Sequence, residues 1–544
     1  MNFIANESQQ KLRGGYYTPY RLAAYITRWI QEKRPQNILE PSCGDGVFIE
    51  AVANVGFSGE LSFTGFEILA DEALKARRKC RAVPRLSATV HAKDFLEWAI
   101  SEMVAGRSNY DAVVGNPPFI RYQYLPKQAQ EKAETIFRLL YLPFTKHTNA
   151  WVPFVLASIA LLKPGGRLGM ILPAEIIHVM HAQSLRTYLG SVCSRLLVID
   201  PDEIWFEKTL QGAVILLAEK KTRRNDHSDG VGIVKVSGET FLTGDSSDLF
   251  NDTARLNGKT VEGKWTRALL TAYERDLIDT LCERSDVHRF AEIASVDVGL
   301  VTGANKFFLV DDETVQKHGL EKYAHPMFGR SAHCPGVIYD EKQHKENARI
   351  GNPTNFIWLD ESKCFSEQVL NYIRLGTEEN LHTRYKCRVR NPWYVVPSVY
   401  STEVGMLKRA HDTPRLIHNR VGAYTTDTAY RIRTELGKAE KLVYCFLNPL
   451  TALSAELEGR YYGGGVLELV PSEIEKLIVP LPHSVKPELR KLDALVKNEP
   501  VLDVLEQQNR KVLGAIDVSK PDQDCLLSAW VRLKKRRQRI TTEG

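Results

Sequence analysis

The chain has 544 residues, 43% hydrophobic and 25% charged, and its 72 Lys and Arg against 66 Asp and Glu give a formal charge of +6. This composition is typical of a folded globular protein and excludes a mainly disordered, collagen-like or coiled-coil architecture. The length is sufficient for three or four units of ordinary domain size.

The cysteines and the N-terminus indicate the cellular compartment. The nine cysteines are scattered and form no Cys-x-x-Cys pair, which predicts reduced thiols and neither a disulfide framework nor a zinc site. The first 15 residues contain no apolar core of a secretory signal, and the apolar stretch 150–162 is too short to span a bilayer. We expect a soluble protein of the bacterial cytoplasm.

Short apolar runs alternate with helix-forming stretches between residues 37 and 220. Helices are expected over 71–80 and 150–162. The predicted strands are 37–40, 61–67, 87–94, 110–116, 167–173, 195–200 and 213–220. This alternation predicts an α/β fold with a doubly wound, Rossmann-like, mostly parallel sheet. The short connection 201–212 predicts that the last two strands form an antiparallel hairpin.

Turn-rich, polar sequence after residue 220 indicates a domain boundary. We predict a catalytic α/β domain over 1–230, a linker over 231–265, an α+β domain over 266–485, and a helical, basic extension over 486–544. For the basic run 534–539 we expect a nonspecific or disordered tail.

A glycine turn follows the first predicted strand. Gly44 and Gly46 allow a ligand to approach the backbone where a Cβ would clash. Glu67 ends the second strand, where an acidic residue suits the hydroxyls of a ribose. Glu40 and Asp45 beside the turn favour S-adenosylmethionine, with its ammonium and sulfonium, over NAD. Which of these two acids is the anchor stays open, and a plain tight turn is the alternative interpretation.

The third strand ends at Asp94 and Phe95. At the carboxyl edge of the sheet, Asp94 is placed to accept a hydrogen bond from an adenine amino group, and Phe95 to lie against the adenine ring. The alternative is an Asp that caps the following helix.

The fourth strand ends in Asn116, Pro117, Pro118 and Phe119. Ligands of open α/β sheets collect at this edge, and two prolines make the turn rigid. An exocyclic amino group is a poor nucleophile because its lone pair is conjugated into the ring. If the Asn116 side chain and the Pro117 carbonyl each accept one N–H, the nitrogen regains that lone pair. Phe119 would stack on a base taken out of the duplex.

The ordered motifs, with Tyr17-Thr18-Pro19 upstream of the glycine turn, resemble the γ-class, N6-adenine DNA methyltransferases of restriction–modification systems, TaqI-like and Eco57I-like. In that family the target-recognition domain comes last. Segments 298–308 and 461–471 look like signatures of such recognition domains. Two departures are Phe119, where many members have Tyr, and the Ser-Cys-Gly-Asp-Gly form of the glycine motif.

The resemblance implies S-adenosylmethionine as cofactor, double-stranded DNA as partner, base flipping, and a cognate restriction endonuclease as a candidate partner. A single recognition segment without internal duplication in the sequence favours a monomer. It places the methionine part of the cofactor on Tyr17 to Pro19, and Phe206 against the flipped adenine beside Phe119. The residues expected to bind the cofactor are Tyr17, Thr18, Pro19, Glu40, Pro41, Gly44, Asp45, Gly46, Glu67, Asp94 and Phe95.

Residues 381–440 contain eleven Lys and Arg but five acids, so this segment carries an excess of +6, equal to that of the whole chain. Basic residues interleaved with aromatics and amides predict phosphate contacts and a few base contacts. A solvated basic face is the alternative for any single residue. The residues predicted to bind DNA are Arg384, Arg388, Arg390, Trp393, Arg415, Asn419 and Arg420.

Other functions are weighed against this one. Asp202 with Glu219-Lys220-Lys221 mimics a metal-nuclease pattern, which would imply a fused nuclease–methyltransferase. Methylation of another planar amino group, on a protein glutamine or an RNA base, and a non-enzymatic specificity subunit are further alternatives. Cytosine-C5 methylation is excluded because it needs a cysteine that usually follows proline, and no Pro-Cys occurs.

Overall fold

The computed structural model describes residues 17–57, 60–81, 86–202, 212–258, 261, 263–360, 364–462 and 464–538. Two compact units are present. The first ends at Leu270, and the second spans Thr271–Gln538.

An eight-stranded sheet in the described part of the chain forms the centre of the first unit, in the order β3-β2-β1-β4-β5-β7-β6-β8. Its strands are β1 Asn37–Glu40, β2 Leu61–Phe66, β3 Leu86–His91, β4 Tyr110–Gly115, β5 Leu162–Pro173, β6 Cys193–Pro201, β7 Ala213–Lys220 and β8 Gly230–Val236. Neighbouring strands from β3 to β5 pair in parallel, whereas β7 is antiparallel to β5 and β6. The predicted α/β class, the mostly parallel sheet and the late hairpin are confirmed.

Helices cover the sheet on both faces. They are α1 Tyr20–Gln31, α2 Val47–Val55, α3 Ala70–Arg81, α4 Phe95–Val104, α5 Lys127–Leu139, α6 Trp151–Leu161, α7 Gln183–Val192 and α8 Ser246–Asp252. Leu39 and Val113 belong to one buried apolar cluster, while Ile38 and Val114 belong to another. Because successive residues of a strand point to opposite faces, a sheet covered on both faces needs continuous apolar runs.

The segment 231–265 is not the expected linker. β8 pairs in parallel with β6 as an edge strand of the sheet. Phe250 of α8 and Trp265 are fully buried in the cores of the first unit. Several of the polar residues that suggested a linker, such as Ser246 and Asp248, lie in α8. The first unit ends near residue 270 and not 230.

The second unit combines small sheets with helices. Among the described residues its sheets have the strand orders β10-β19-β15-β17-β13, β11-β14-β12-β18, β16-β21-β20 and β22-β9. The strands are β9 Val287–Arg289, β10 Ala294–Val298, β11 Leu309–Val310, β12 Ala324–Phe328, β13 Ile338–Tyr339, β14 Asn355–Ile357, β15 Val404–Leu407, β16 Arg409–Ala410, β17 Leu416–Asn419, β18 Tyr424–Thr425, β19 Ala429–Thr434, β20 Arg460–Tyr462, β21 Val466–Glu468 and β22 Ile478–Pro480.

Helices occur throughout the second unit and follow one another at its C-terminal end. They are α9 Ala272–Cys282, α10 Phe290–Ile293, α11 Asn305–Phe308, α12 Asp312–His318, α13 Glu341–Arg349, α14 Glu367–Glu378, α15 Tyr385–Arg388, α16 Ala439–Phe446, α17 Pro449–Glu458, α18 Pro471–Ile474, α19 Leu489–Asn498, α20 Val501–Gln508 and α21 Lys520–Gln538. None of the helices in the described ranges is long and apolar enough to cross a lipid bilayer.

The basic C-terminal run is not a disordered tail, because the described part of it is the end of α21. Leu526, Trp530 and Leu533 lie four and three residues apart, which is helical spacing, and all three are buried. Arg537 is 4% exposed, and its guanidinium lies 2.8 Å from a carboxylate oxygen of Glu456. The helix packs against α17, so the expected extension 486–544 belongs to the second unit up to Gln538.

Candidate functional site

The glycine turn lies at the carboxyl edge of β1, and its two glycines have different roles. Both have a positive φ, +50° for Gly44 and +88° for Gly46. A Cβ on Gly46 would stand 3.0 Å from the Cα of Ala76, so this glycine allows α3 to pack closely. A Cβ on Gly44 would meet no protein atom within 4 Å. Gly44 therefore borders open space where a ligand can approach the backbone.

Glu67 is held rigidly beside Gly44, one residue after β2. Its Oε2 accepts a hydrogen bond from the Gly44 backbone N–H at 3.0 Å, and its Oε1 accepts one from the Leu69 N–H at 2.9 Å. Each carboxylate oxygen has further acceptor capacity. The carboxylate is thus preorganised for ligand hydroxyl groups at the edge of the sheet.

The two acidic candidates for the anchor differ in their surroundings. Asp45 lies 3.3 Å from the ammonium of Lys79. Glu40 is 1% exposed, and its Oε2 has no hydrogen-bond partner among the described residues. Burial, together with the negative charges of Glu67 and Asp45, raises the pKa of Glu40 well above its usual range. Lys79 opposes this rise, yet in the described part of the chain no cation is hydrogen-bonded to Glu40 Oε2. This favours Glu40 as the group that would pair with a positively charged ligand.

The Asn-Pro-Pro-Phe turn leaves the sheet at the neighbouring strand β4. The hydroxyl of Ser42, in the glycine turn, donates to the Asn116 backbone carbonyl at 3.0 Å. The Asn116 side-chain Nδ2 donates to the Thr18 hydroxyl at 3.2 Å. These two bonds join the three sequence motifs, so Thr18, the glycine turn and Asn116 share one site.

The aromatic and proline residues around the motifs vary in exposure. Tyr17 is exposed, and its hydroxyl donates to Glu72 at 3.2 Å. Pro19 is also exposed and precedes α1. Phe119 is half-buried against one of the two cores. Phe206 lies outside the described residues, so its role stays a prediction.

Asp94 is the N-cap of α4. Its Oδ1 accepts hydrogen bonds from the backbone N–H groups of Leu96, at 2.8 Å, and Glu97, at 3.4 Å. Its Oδ2 lies 2.8 Å from the ammonium of Lys132. The capping interpretation is therefore observed, and contact with an adenine amino group stays a prediction.

Phe95 differs from the expectation that its ring lies open to a cofactor. It is 2% exposed and belongs to a buried apolar cluster. Its ring centroid lies 5.4 Å from that of Phe154 and 5.7 Å from that of Phe66. As the first residue of a helix capped by Asp94, it faces the core because the helix packs on the sheet.

Sequence reasoning overlooked Ile68. This side chain follows Glu67 at the carboxyl edge of β2 and is 69% exposed. An exposed β-branched residue beside a fixed carboxylate would offer an apolar face to a flat ring of a bound nucleoside. The available signal was an apolar residue directly after the acidic residue that ends the strand.

Four of the predicted DNA-binding residues serve the fold of the second unit instead. The guanidinium groups of Arg390 and Arg415 donate to backbone carbonyls, at 2.8 Å to Thr302 and at 2.6 Å to Cys334. The Asn419 side-chain nitrogen donates to the backbone carbonyls of Thr402 and Ala423, and its side-chain oxygen accepts the backbone N–H of Ala423. Trp393 packs in an apolar cluster, with its ring 5.1 Å from that of Phe307. Buried backbone carbonyls need donors, and arginine and asparagine supply several each.

The other three predicted DNA-binding residues are exposed. Arg384 and Arg388 flank the exposed Tyr385, and the Arg388 guanidinium lies 5.5 Å from its ring centroid. Arg420 is paired with Glu440 at 2.7 Å. Tyr385, 67% exposed, was not among the residues predicted to bind DNA, although an aromatic residue between cations was the available signal.

The residues of the nuclease-like pattern take part in ion pairs and backbone contacts. Asp202 pairs with Lys235. Glu219 lies 3.3 Å from Arg167 and 3.2 Å from Arg195, and Lys220 donates to carbonyls that include that of Leu162, at 2.6 Å. Within the described ranges no cluster of three or more His, Cys, Asp or Glu side chains is arranged to hold a metal ion.

The arrangement fits S-adenosylmethionine. Glu40 would offer an ammonium a buried carboxylate oxygen that has no hydrogen-bond partner among the described residues. Gly44 leaves space for the ligand, and Glu67 would present a fixed carboxylate to a ribose. Together with the sheet order, these features define an S-adenosylmethionine-dependent methyltransferase.

Comparison with protein families identifies the type of methyltransferase. Residues 65–201 match the Eco57I restriction-modification methylase model, and residues 262–513 match the model of the type II methyltransferase M.Eco57I, C-terminal domain. The chain belongs to this Eco57I-like family of modification methylases, as the sequence resemblance implied.

Individual relatives are distant. Type II methyltransferase M.AccI from Acinetobacter calcoaceticus is 23% identical over 484 residues, which cover 85% of this chain and 84% of that protein. M.HindII from Haemophilus influenzae is 21% identical over 56% of this chain and 57% of its own length. The match therefore spans less than two thirds of the second relative.

Two solved structures show weak overall similarity. The DrdV–DNA complex, determined by cryo-electron microscopy, has 10% identity and a TM-score of 0.49, and the match covers 90% of this chain and 57% of that chain. The type IIG restriction endonuclease BpuSI has 13% identity and a TM-score of 0.42, over 96% and 66% respectively.

Proposed function

We propose that the protein is a site-specific DNA methyltransferase that transfers a methyl group from S-adenosylmethionine to N6 of an adenine flipped out of duplex DNA. It would act in the bacterial cytoplasm as the modification enzyme of a restriction–modification system. The hydrogen bond from Ser42 to the Asn116 carbonyl carries this proposal, because it joins the cofactor turn to the turn that accepts the amino group.

The cofactor supplies, when bound, an electrophilic methyl group on a sulfonium. Glu40 would pair with its ammonium, Glu67 would bind ribose hydroxyls, and Ile68 would cover one face of its adenine. Gly44 permits this close approach because a Cβ at this position would extend into the open space. The Asp94 carboxylate already accepts hydrogen bonds from α4 and from Lys132. It would accept a hydrogen bond from the cofactor adenine through its remaining lone pairs.

Asn116 and Pro117 would activate the target amino group. With Nδ2 donating to Thr18, the Asn116 side chain has its oxygen on the opposite side of the carboxamide. That oxygen and the Pro117 carbonyl would accept the two N–H bonds and allow the nitrogen to become pyramidal. Pro118 would keep the turn rigid, and Phe119 and Phe206 would stack on the flipped base.

The short helix α15 and its neighbouring residues form an exposed part of the predicted DNA surface. Residues 384–390 contain four basic residues and no acid. Arg390 and the Cys387 thiol both donate to the Thr302 carbonyl, at 2.8 and 3.8 Å, and so anchor the segment. Because the backbone of this protein segment is fixed, the side chains of Arg384, Lys386 and Arg388 would contact DNA phosphates from defined positions.

Mapping of methylated bases tests the proposal. We expect purified protein to incorporate labelled methyl into duplex DNA, and base-resolution mapping to find N6-methyladenine in one sequence context. Asn116→Ala should abolish transfer and retain cofactor binding. Asn54→Ala, an exposed asparagine on α2, is the matched control and should remain active. Labelling of cytosine, or full activity of Asn116→Ala, would contradict the proposed chemistry.

Another planar amino group remains the alternative substrate, since an Asn-Pro-Pro-aromatic turn also suits a glutamine amide. The anchored basic segment 384–390 favours nucleic acid. Parallel incubations with duplex DNA, RNA and a protein extract separate these substrates, and methyl transfer to protein alone would reverse the choice. A magnesium-dependent nicking assay on unmodified DNA tests the fused-nuclease alternative, and we expect no cleavage.

A further inference from the structure

A buried acid with no assigned role stands next to the Asn-Pro-Pro-Phe turn. Glu175 lies two residues after the end of β5, in the helical turn Ala174–Ile177. Because β5 pairs in parallel with β4, with Gly115 opposite Met170, Glu175 follows the same carboxyl edge of the sheet as Asn116. It is 6% exposed.

A chain of hydrogen bonds connects this carboxylate to the residues after the turn. The Asn149 side-chain Nδ2 donates to Glu175 Oε2 at 3.2 Å. Asn149 Oδ1 accepts the backbone N–H of Tyr122 at 3.0 Å. The next residue, Ala150, donates its backbone N–H to the Ile120 carbonyl at 2.9 Å. Asn149 is itself 7% exposed, so its bond to Glu175 is shielded from water.

We propose that Glu175 is a positioning residue for methyl transfer, which through Asn149 fixes segment 120–122 and thereby the turn formed by Asn116 to Phe119. This inference rests on the proposed function. Segment 120–122 follows Phe119 directly, so a shift of its backbone would move the stacking ring and the two amino-group acceptors. Displacements of this kind at a reacting centre reduce rates strongly.

The charge of Glu175 determines how firmly Asn149 is held. An ionised carboxylate only accepts hydrogen bonds, so it specifies which end of the Asn149 carboxamide faces it. Burial raises the pKa of Glu175 to about 7, and Arg121 and the bond from Asn149 oppose that rise. Arg121, in the positioned segment, is a charged group that acts on this carboxylate, and His178 directly follows the turn that contains Glu175. Positioning is therefore strongest above neutral pH.

Single-turnover methyl transfer at saturating cofactor and DNA tests this role between pH 5.5 and 8.5. Glu175→Ala and Asn149→Ala should each lower the rate about tenfold at pH 8 with unchanged cofactor affinity. Glu175→Gln keeps an acceptor for Asn149 at every pH. It should remain within about threefold of wild type at pH 8 and lose the rate change centred near pH 7. Glu60→Gln, an exposed acid at the amino edge of β2, is the control. A wild-type rate in Glu175→Ala, or an unaltered pH profile in Glu175→Gln, would overturn the proposal.

Amide hydrogen exchange supplies a readout that does not require activity. Peptides that cover 119–124 should exchange faster in Asn149→Ala and Glu175→Ala than in wild type and Glu60→Gln. Equal protection in all four proteins would refute the positioning role even if the wild type methylates DNA. If the wild type transfers no methyl to DNA, the proposed function fails, and faster exchange in the two variants would still support the structural connection.

Discussion

The side-chain amide of Asn116 donates a hydrogen bond to the hydroxyl of Thr18, 98 residues earlier in the chain, at 3.2 Å. An asparagine carboxamide can present either its nitrogen or its oxygen to a ligand. The Thr18 hydroxyl oxygen accepts a hydrogen from Asn116 Nδ2. The side-chain oxygen of Asn116 therefore points away from Thr18. In the proposed mechanism the Tyr-Thr-Pro segment would therefore orient the acceptor, in addition to the cofactor contact implied by the family resemblance.

Removal of this hydroxyl should slow chemistry more than it weakens cofactor binding. We expect Thr18→Val, which keeps the shape, to lower the single-turnover rate about tenfold, since one hydrogen bond is removed and the acceptor can rotate. Thr18→Ser should keep most of the rate. Calorimetric titration with the cofactor, run beside the rate assay, separates the two effects. A normal rate in Thr18→Val together with a loss in Thr18→Ser would assign the effect to packing of the methyl group.

Glu40 and Asp45 should differ in their effect on cofactor binding. Glu40→Gln removes the buried carboxylate and should raise the cofactor Kd at least about tenfold, whereas Asp45→Asn, paired with Lys79 on the surface, should change it by less than about threefold. A stronger effect of Asp45→Asn would identify that residue as the anchor.

Cofactor binding should also depend on pH through Glu40. Burial raises the pKa of this carboxyl in the free protein, and a bound cation lowers it again. Binding therefore releases a proton, so affinity should increase as pH rises through the elevated pKa. Titrations in buffers of different ionisation enthalpy measure this release. Glu40→Gln should bind without it, and proton release that persists in this variant would point to another group.

The sequence predicted the sheet well because strands buried on both faces must be apolar throughout, as in β5 and β7. The motif residues were also predictable, since chemistry restricts their identity and strand ends restrict their position. Glu175 and Asn149 were not predictable, because their roles depend on hydrogen bonds between segments 26 residues apart.

The basic segment illustrates what charge counting cannot resolve. Arg384 and Arg415 are equivalent in composition, yet one is exposed and the other donates to the Gly336 and Cys334 carbonyls. Whether an arginine meets solvent or an unpaired backbone carbonyl depends on long-range packing. The error at Asn419 has the same cause, since its amide closes the loop to Ala423.

Exposed and internal arginines should therefore respond differently to substitution. Alanine at Arg384, Lys386 or Arg388 should weaken DNA binding and reduce the salt dependence of log Kd by about one for each phosphate that the variant no longer neutralises. Arg415→Ala should lower the stability of the second unit and leave the salt dependence unchanged. Fluorescence anisotropy at several salt concentrations, with urea denaturation in parallel, distinguishes them. An unchanged salt dependence of log Kd in all three exposed variants would show that DNA binds to a different surface.

The C-terminal helix should depend on its buried ion pair. Arg537 pairs with Glu456 and also donates to backbone carbonyls of Asp412 and Gly465. Arg537→Ala leaves a buried carboxylate unpaired and should lower the free energy of unfolding by about 3–5 kcal/mol. Lys535→Ala, on the exposed side of the same helix, should change it by less than about 0.5 kcal/mol. Similar urea midpoints for the two variants would show that the ion pair contributes little.

Glu175 should impose a conflict between stability and activity. Its pKa is raised from 4.5 to about 7 in the folded protein, so the folded state binds this proton more tightly than the unfolded chain. The stability that it contributes is present below pH 4.5 and is lost as pH rises towards 7, by up to about 3 kcal/mol. Glu175→Gln removes this titration. Its melting temperature should therefore be higher than that of the wild type at pH 8, and no higher than that of the wild type at pH 5. Thermal melts at both pH values check this difference. A variant that is less stable than the wild type at pH 8 would show that the ionised carboxylate receives more stabilisation from Arg121 and Asn149 than burial removes.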